Sequence, residues 1–427
     1  MKILLIGSGG REHALAWKLS QSERVTELTV APGNAGIAAI ANIADVPADD
    51  VMGLVALAQR GGYDLVVVGP EQPLALGLAD ALALRGIRVF GPSQAAARLE
   101  SSKAFTKDLC DRYDIPTARY GVFTDAADAK AFLRTMEPPY VLKADGLAAG
   151  KGVVIPETLA EADAELDAFF SGKFGTASET VLIEEFMDGE EVSFFAICDG
   201  RTALPLIGAQ DHKRAFDGDV GPNTGGMGAY SPAPVFTDAV FEQTMARIIE
   251  PTVRGMAEDG TPFTGILFAG LMITDEGPKL IEYNVRFGDP ECQVVMRRMQ
   301  SDLLDLLLAA EAGELDTAEP PAWFSDPVVN VVLAASGYPG SYEKGTVIEG
   351  VDAANARDGV VVFHAGTRRG RNCGKLKANG GRVLNVTASG ETLEAAVDLA
   401  YRVIEDDIDW PDMQFRTDIA HRALGKS

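Results

Sequence analysis

Apolar positions in the first hundred residues fall in short runs, each stopped by glycine or proline. KILLIG (2–7) reads as a buried strand, and a helix over about 12–19 follows its glycine turn. LTVAPG, DLVVVGPE and VFGPS are later strand ends of the same kind. Strands alternating with helices predict a small doubly wound parallel α/β domain, whose ligands sit at strand carboxyl ends. From about 101 the pattern changes. PYVLKADGLAAGKGVVIP (139–156) reads as strand, glycine-rich loop, strand, and ETVLIEEFMDGEEVSFFAI (179–197) as strand, turn, strand. A helix is expected over about 237–258. AGLMITDEGP and KLIEYNVRFGDPE then form a hairpin turning at Asp275, Glu276 and Gly277. Period-two alternation puts Leu280, Glu282, Asn284 and Arg286 on one face of its second strand, and Ile281, Tyr283, Val285 and Phe287 on the other. Further helices are expected over 298–312 and about 391–406, with LDTAEPPAWFSDP as a linker and a small α+β unit after it.

The face holding Glu282, Asn284 and Arg286 changes this picture from fold to chemistry. Burying a carboxylate, a carboxamide and a guanidinium in one row is costly without a partner. A hard divalent cation with phosphates supplies one, since Glu and Asn offer oxygen ligands and Arg286 can hold a phosphoryl group. An ordinary solvated Glu/Arg pair remains the alternative reading of the row taken alone. Gly288, Asp289, Pro290 and Glu291 follow as a turn with two more carboxylates.

Composition narrows the partners. The chain has 427 residues, room for two to four domains, and 62 acidic residues against 38 basic ones, for a net charge of −24. Such a surface repels nucleic acid and anionic membranes, so an anionic substrate must be held by a few local cations. The four cysteines form no CxxC pair, and the four histidines show no zinc spacing. No apolar run approaches the roughly 18 residues that span a bilayer, and the MKILLIGSGG start is too short for a signal-peptide core. These features predict a cytoplasmic protein with reduced thiols.

Local motifs point to anions. Gly7, Gly9 and Gly10 precede Arg11, but Glu12 breaks the G-x-G-x-x-G dinucleotide fingerprint. The turn still suits a phosphate or sugar phosphate, because glycines let helix amides approach an anion. Lys103 sits at a helix start, where a nearby anion would offset it, and Ser101 or Ser102 could cap that helix. Lys143 lies inside an apolar strand and needs an anion or an ion pair. The 145–152 loop is no P-loop: Gly146 and Gly150 are one residue too close, and Gly152 stands where Ser or Thr belongs. It reads as a flap over a triphosphate. Glu184, Glu185, Glu190 and Glu191 suit neutral groups such as an adenine amino group or ribose hydroxyls. AQDHKRAFDGDVGPNTGGMGAYSP (209–232) reads as one long functional loop.

Together these strings resemble the phosphoribosylamine–glycine ligase (glycinamide ribonucleotide synthetase) family of the ATP-grasp superfamily. The resemblance rests on IGSGGREHALAWKL, VAPGNAG, VGPEQPL, SKAFTK, KADGLAAGKGV, IEEFMDGEEVS, QDHKR, GPNTGGMGAYSP, GLM, IEYNVRFGDPE, NGGRVL and FRTDIAHRAL, in the family's order. Residues 368–384 depart slightly, around 371–378. The resemblance implies a doubly wound α/β domain at 1–102, an ATP-grasp domain at 103–325 with a flap subdomain near 120–188, and an α+β cap at 326–427. It implies ATP, glycine and 5-phosphoribosylamine as substrates, a glycyl phosphate route to glycinamide ribonucleotide, and Mg²⁺ (or Mn²⁺) on Glu282 and Asn284. Lys103, Lys143, Gly146, Gly150, Lys151 and Gly152 are then expected to hold the ATP phosphates. Glu184, Glu185 and Met187 would meet adenine, and Glu191 the ribose. Arg286, Lys143 and Asp289 are the expected catalytic groups. Gly9, Gly10, Arg11, Asp211, Lys213, Asn223, Thr224, Gly225, Gly226, Pro290 and Glu291 are expected at glycine and the ribosylamine. A monomer is expected, with at most transient contact with the enzyme supplying phosphoribosylamine. The nucleotide and metal strings alone fit any ATP-grasp carboxylate–amine ligase; the substrate-loop strings and the first domain argue for this one.

Overall fold

In the computed structural model the described residues are 1–147, 152–370, 373–411 and 413–425. Five parallel strands form the first sheet: β1 (Lys2–Gly7), β2 (Glu27–Pro32), β3 (Asn42–Ile43), β4 (Leu65–Val68) and β5 (Val89–Phe90). Their order is β3-β2-β1-β4-β5, so the winding reverses between β1 and β4. After Lys2, β1 is apolar because both its faces are covered: Ile3 and Leu5 join one core, Leu4 and Ile6 another.

The flap is a separate antiparallel sheet of β6 (Tyr120–Phe123), β7 (Tyr140–Ala144), β8 (Val153–Val154) and β9 (Val181–Glu185), ordered β6-β9-β7-β8. Helices Ala126–Leu133 and Leu159–Phe170 cover it, with Leu142, Ile183, Leu166 and Phe169 in a core of its own.

The remaining strands are β10 (Glu190–Asp199), β11 (Ala203–Asp211), β12 (Arg214–Phe216), β13 (Val220–Asn223), β14 (Gly228–Ser231), β15 (Thr264–Thr274), β16 (Gly277–Asn284), β17 (Val328–Ala335), β18 (Val360–His364), β19 (Thr367–Arg369), β20 (Leu376–Ala378), β21 (Arg382–Ser389) and β22 (Met413–Gln414). Nine of them make one antiparallel sheet, β16-β15-β10-β11-β14-β17-β21-β18, with β22 on β17. The sheet therefore runs without a break from the hairpin into the C-terminal residues. The joint is β14, paired to β11 on one side and β17 on the other.

Three local expectations are corrected. The 209–232 stretch is not one loop: it holds the end of β11, the β12–β13 hairpin and β14. Its glycines and proline hide strands that only distant pairing stabilises. The helix expected over 298–312 starts later, at Leu303–Ala312, where Asp302 caps it by accepting from Leu304 N, and a separate helix, Glu291–Arg298, precedes it. Glu291 thus opens a helix instead of closing a turn. Finally, Leu280 does not share the Glu282 face. The β15–β16 register runs Gly270↔Glu282 and then Leu271↔Leu280, so Ile281 is a β-bulge. The bulge returns Leu280 to the core of Tyr283 and Val285.

Candidate active site

β16 supplies the centre of the site. Glu282 lies opposite Gly270, which lies opposite Ser193 on β10, so the missing side chain at 270 leaves room between them. Glu282 and Asn284 are half-buried, and neither side chain has a hydrogen-bond or ion-pair partner among the described residues. Burial works to raise the Glu282 pKa, but Lys213, Lys143, Lys103 and Arg286 outweigh it and hold the carboxyl below its usual range. Two oxygen donors without protein partners, the carboxylate held ionised by four cations, fit a hard metal ion that anionic phosphates would complete. Among the described residues no three His, Cys, Asp or Glu side chains converge as ligands.

The flap brings the lysines. Lys143 Nζ lies 2.9 Å from Glu184 Oε2, and Lys107 Nζ 3.2 Å from the same oxygen, with all three side chains buried. The bulge at Ile281 turns its carbonyl toward Lys143 Nζ, 3.4 Å away. Lys107 also donates to Thr117 Oγ1 at 2.7 Å. Glu184 was expected at adenine; the structure places its carboxylate between two lysines, and the second of them was missed. Lys103 opens helix Lys103–Arg112, where Ser102 is the cap, and its ammonium donates to the Gly146 carbonyl. Asp145 accepts from Ala104 N at 2.7 Å, an anion at that helix start. Gly152 is buried and its carbonyl accepts from Ala144 N. Gly150 and Lys151 lie outside the described residues. Glu185 accepts from Arg119 N at 2.9 Å, and Met187 is half-buried in the turn between β9 and β10.

Across β10 and β11 lies a second polar cluster. Lys213 and Glu191 are ion-paired, and buried Glu291 accepts from Ser193 Oγ at 2.9 Å. Burial pushes the Asp211 carboxyl up; Lys213 opposes this, while Glu291 and Glu191 add to it. Thr224 folds back onto the Lys213 carbonyl through both its N–H and its hydroxyl, and Asn223 pairs with Arg214. Gly226 has φ +108°, and a Cβ there would lie 2.4 Å from Pro290 Cδ. Arg382, from the start of β21, donates to the carbonyls of Gly226 (3.3 Å) and Asp289 (2.6 Å). NGGRVL carried this arginine in plain view, but nothing nearby in sequence marked its target.

The N-terminal turn closes the site. Asp289 accepts from Arg11 N and from Gln293 Nε2, so three parts of the chain meet at it. Burial works to raise Asp289, but Arg382 and Arg11 keep it below its usual range. Gly10 packs so closely that a Cβ would lie 2.5 Å from both Asn385 Nδ2 and Gln293 Nε2. Glu12 explains the failed dinucleotide fingerprint. Its carboxylate fills the β1/β4 crevice, accepting from Gly9 N and Arg11 Nε, both at 2.6 Å. Arg11 was expected to face a sugar phosphate. Its guanidinium instead turns inward to Glu12 and the Phe287 carbonyl, because the adjacent buried carboxylate outcompetes solvent. Arg286 lies between Glu71 (3.0 Å) and Glu100 (2.9 Å), partners that the sequence did not reveal.

Comparison with known proteins shows the family. Residues 1–100 match the phosphoribosylglycinamide synthetase N domain, 101–292 its ATP-grasp (A) domain and 328–422 its C domain. A phosphoribosylamine–glycine ligase of Mesorhizobium japonicum is 60% identical over 426 residues, covering 100% of this chain and 99% of that one. The crystal structure of the Thermotoga maritima phosphoribosylamine–glycine ligase superposes with a TM-score of 0.85 at 32% identity, covering 98% of this chain and 100% of that one. A Campylobacter jejuni biotin carboxylase, solved with a β-γ-ATP ligand, shares the fold alone: TM-score 0.74, 15% identity, 100% of this chain and 95% of that one. The chain belongs to the phosphoribosylglycinamide synthetase family of ATP-grasp carbon–nitrogen ligases.

Proposed function

We propose that this chain joins glycine to 5-phosphoribosylamine at the expense of ATP, giving glycinamide ribonucleotide, ADP and phosphate in purine biosynthesis. The observation that carries the reading is the pair of unpartnered oxygen donors, Glu282 and Asn284, with Glu282 held ionised by four cations. Glu282 and Asn284 would hold a Mg²⁺ (or Mn²⁺) ion, which would neutralise charge on the phosphates. Lys103 and Lys143 reach the same phosphates beneath the flap, with Gly146 and Gly152 at its ends. Glu185 at the end of β9 and Met187 in the turn to β10 read adenine, and Glu191 takes the ribose, while Glu184 holds the two lysines in place. A glycine carboxylate oxygen attacks the terminal phosphorus and ADP leaves, forming glycyl phosphate. The ribosylamine nitrogen then attacks the acyl carbon, loses a proton, and phosphate departs. Carboxylate is a weak nucleophile, so the chain's work is positioning and charge stabilisation. Arg286, held in place by Glu71 and Glu100, faces the transferring group. Asp289, kept ionised by Arg382 and Arg11, orients the amine beside Gly226, Pro290 and Glu291. The Gly9–Arg11 turn lies beside the sugar phosphate, with its Gly9 and Arg11 amides held by Glu12 and Asp289. No helix among the described residues is long and apolar enough to cross a membrane.

Glu282→Gln keeps the shape and removes the charge. Turnover should fall by at least about a hundredfold with an unchanged unfolding midpoint. Activity near that of the unaltered protein at saturating Mg²⁺ would remove the metal assignment.

A further inference from the structure

The C-terminal residues 416–422 grip the 212–219 stretch through a set of bonds that the reaction as described does not use. Arg416 is fully buried, yet charged. Its guanidinium donates to Asp219 Oδ1 and both Asp418 oxygens at 2.7 Å, and to the Arg214 carbonyl at 3.3 Å. Thr417 N donates to Asp217 Oδ1 at 2.8 Å, its hydroxyl bonds the other oxygen, and Gly218 N donates to Asp418 Oδ2. Arg422 adds a 2.7 Å bond to Asp219. A buried arginine is tolerated only where every donor finds an acceptor, so this contact is built rather than incidental.

His212 is the inner end of the grip. It has no exposed surface, and its Nε2 accepts from Ala420 N at 2.8 Å. The proton must then sit on Nδ1, which donates to the Asp211 carbonyl at 3.0 Å. The backbone of His212 is bonded on both sides, its N–H to Gly228 O and its carbonyl to Met227 N. Side chains alternate along an extended chain. With His212 turned toward Ala420, Asp211 and Lys213 are turned the opposite way, toward Glu191, Glu282 and Glu291.

We propose that the 416–422 segment is a positioning strap for the substrate loop, with His212 as the residue that aims Asp211 and Lys213 at the two non-nucleotide substrates. This rests on the reading that the 211–226 stretch binds glycine and the ribosylamine. None of these strap residues touches the nucleotide lysines, so the strap acts on substrate affinity and leaves ATP alone.

The test is a set of steady-state KM values for glycine, ribosylamine and ATP. His212→Leu removes the Nε2 acceptor. It should raise the KM for glycine or ribosylamine about tenfold and move that for ATP less than twofold. His212→Gln restores an acceptor at the same reach and should recover most of the loss. Thr417 is exposed, so Thr417→Val keeps the fold and should show the same split, two- to threefold, at an unchanged unfolding midpoint. Equal rises in all three KM values, His212→Gln no better than His212→Leu, or flat values in Thr417→Val would each overturn the strap. Lys213→Met separates the two ideas. If it raises the glycine or ribosylamine KM while the strap variants do not, the strap alone fails. If it too leaves both unchanged, the loop assignment fails with it.

Discussion

Glu184 has two lysines on one oxygen and no hydrogen-bond partner on the other. One carboxylate against two buried ammonium groups leaves an excess positive charge facing the flap. If Lys143 turned to a phosphate and Glu184 had no second cation, the carboxylate would be stranded at a cost of several kcal/mol. Lys107 prevents this by staying in place. Burial pulls the Lys107 pKa down, and Glu184 and the Thr117 hydroxyl hold it there as a donor. Lys107→Met, which keeps the aliphatic stem, should leave Lys143 bound more tightly to Glu184 and raise the KM for ATP about tenfold, or about 1.4 kcal/mol. The KM for glycine should change much less. Initial-rate measurements at varied ATP check this, and an unchanged ATP KM would reduce Lys107 to an ordinary core ion pair. The sequence showed that Lys143, in an apolar strand, needed an anion. It could not show which one, because Glu184 is on a different strand and Lys107 marks itself only as one face of a helix.

Elements were legible where their own pattern decided them and obscure where a neighbour did. The β15–β16 hairpin follows from turn formers between apolar runs, and the shared face of Glu282 and Asn284 from period two. The bulge at Ile281 is different: it is set by where Leu280 finds core, and no residue type announces it. β14 was hidden for a related reason. Its residues, GAYS, have little strand preference, and pairing on both sides holds them. Helix Glu291–Arg298 begins directly after Pro290, so the turn signal of Gly288–Pro290 masked its start. The packing of these obscured pieces gives a sharp prediction at Gly226, which joins β13 to β14. Alanine there meets a left-handed φ of +108° and the Pro290 ring 2.4 Å from its Cβ. Gly226→Ala should destabilise the fold by roughly 1–3 kcal/mol. By moving Pro290, it should also lower kcat/KM for glycine more than for ATP. Denaturant unfolding and paired kinetics measure the two effects, and a neutral result in both would mean that the turn carries no constraint.

At the scale of the whole molecule, three parts were visible in the strings, but their seams were not. The single sheet crossing from β11 through β14 to β17 joins residues a hundred positions apart, and no local pattern reports such pairing. The seams are also where three buried histidines lie, and they make stability depend on pH. His13 Nδ1 accepts from His364 N at 2.7 Å, tying the first domain to the C-terminal residues; His212 ties the 211–226 stretch to the C-terminal segment. Burial, with nearby cationic or imidazole groups, pulls His13 and His212 down to about 3, and burial with Arg369 pulls His364 down to about 4. Each is neutral when folded and takes a proton near pH 6.5 when unfolded. The stability each contributes is therefore fully present above pH 6.5 and is lost as pH falls from there toward the folded value, at up to about 1.4 kcal/mol per pH unit. Buried Glu100, pushed up to about 7 by burial against the pull of Arg286, works in the opposite direction over the same range. A single unfolding curve therefore mixes the two. The difference between variants isolates one histidine: His13→Asn keeps an acceptor at the Nδ1 position and cannot titrate. Its stability deficit relative to the unaltered protein should be largest near pH 7. The deficit should shrink by about 1.4 kcal/mol per unit between pH 6 and pH 4.5, as protonation of His13 in the unfolded state erodes the unaltered protein alone. Parallel stability curves over that interval would mean that His13 is not held neutral at the seam, and that the first domain is joined to the rest by contacts indifferent to acid.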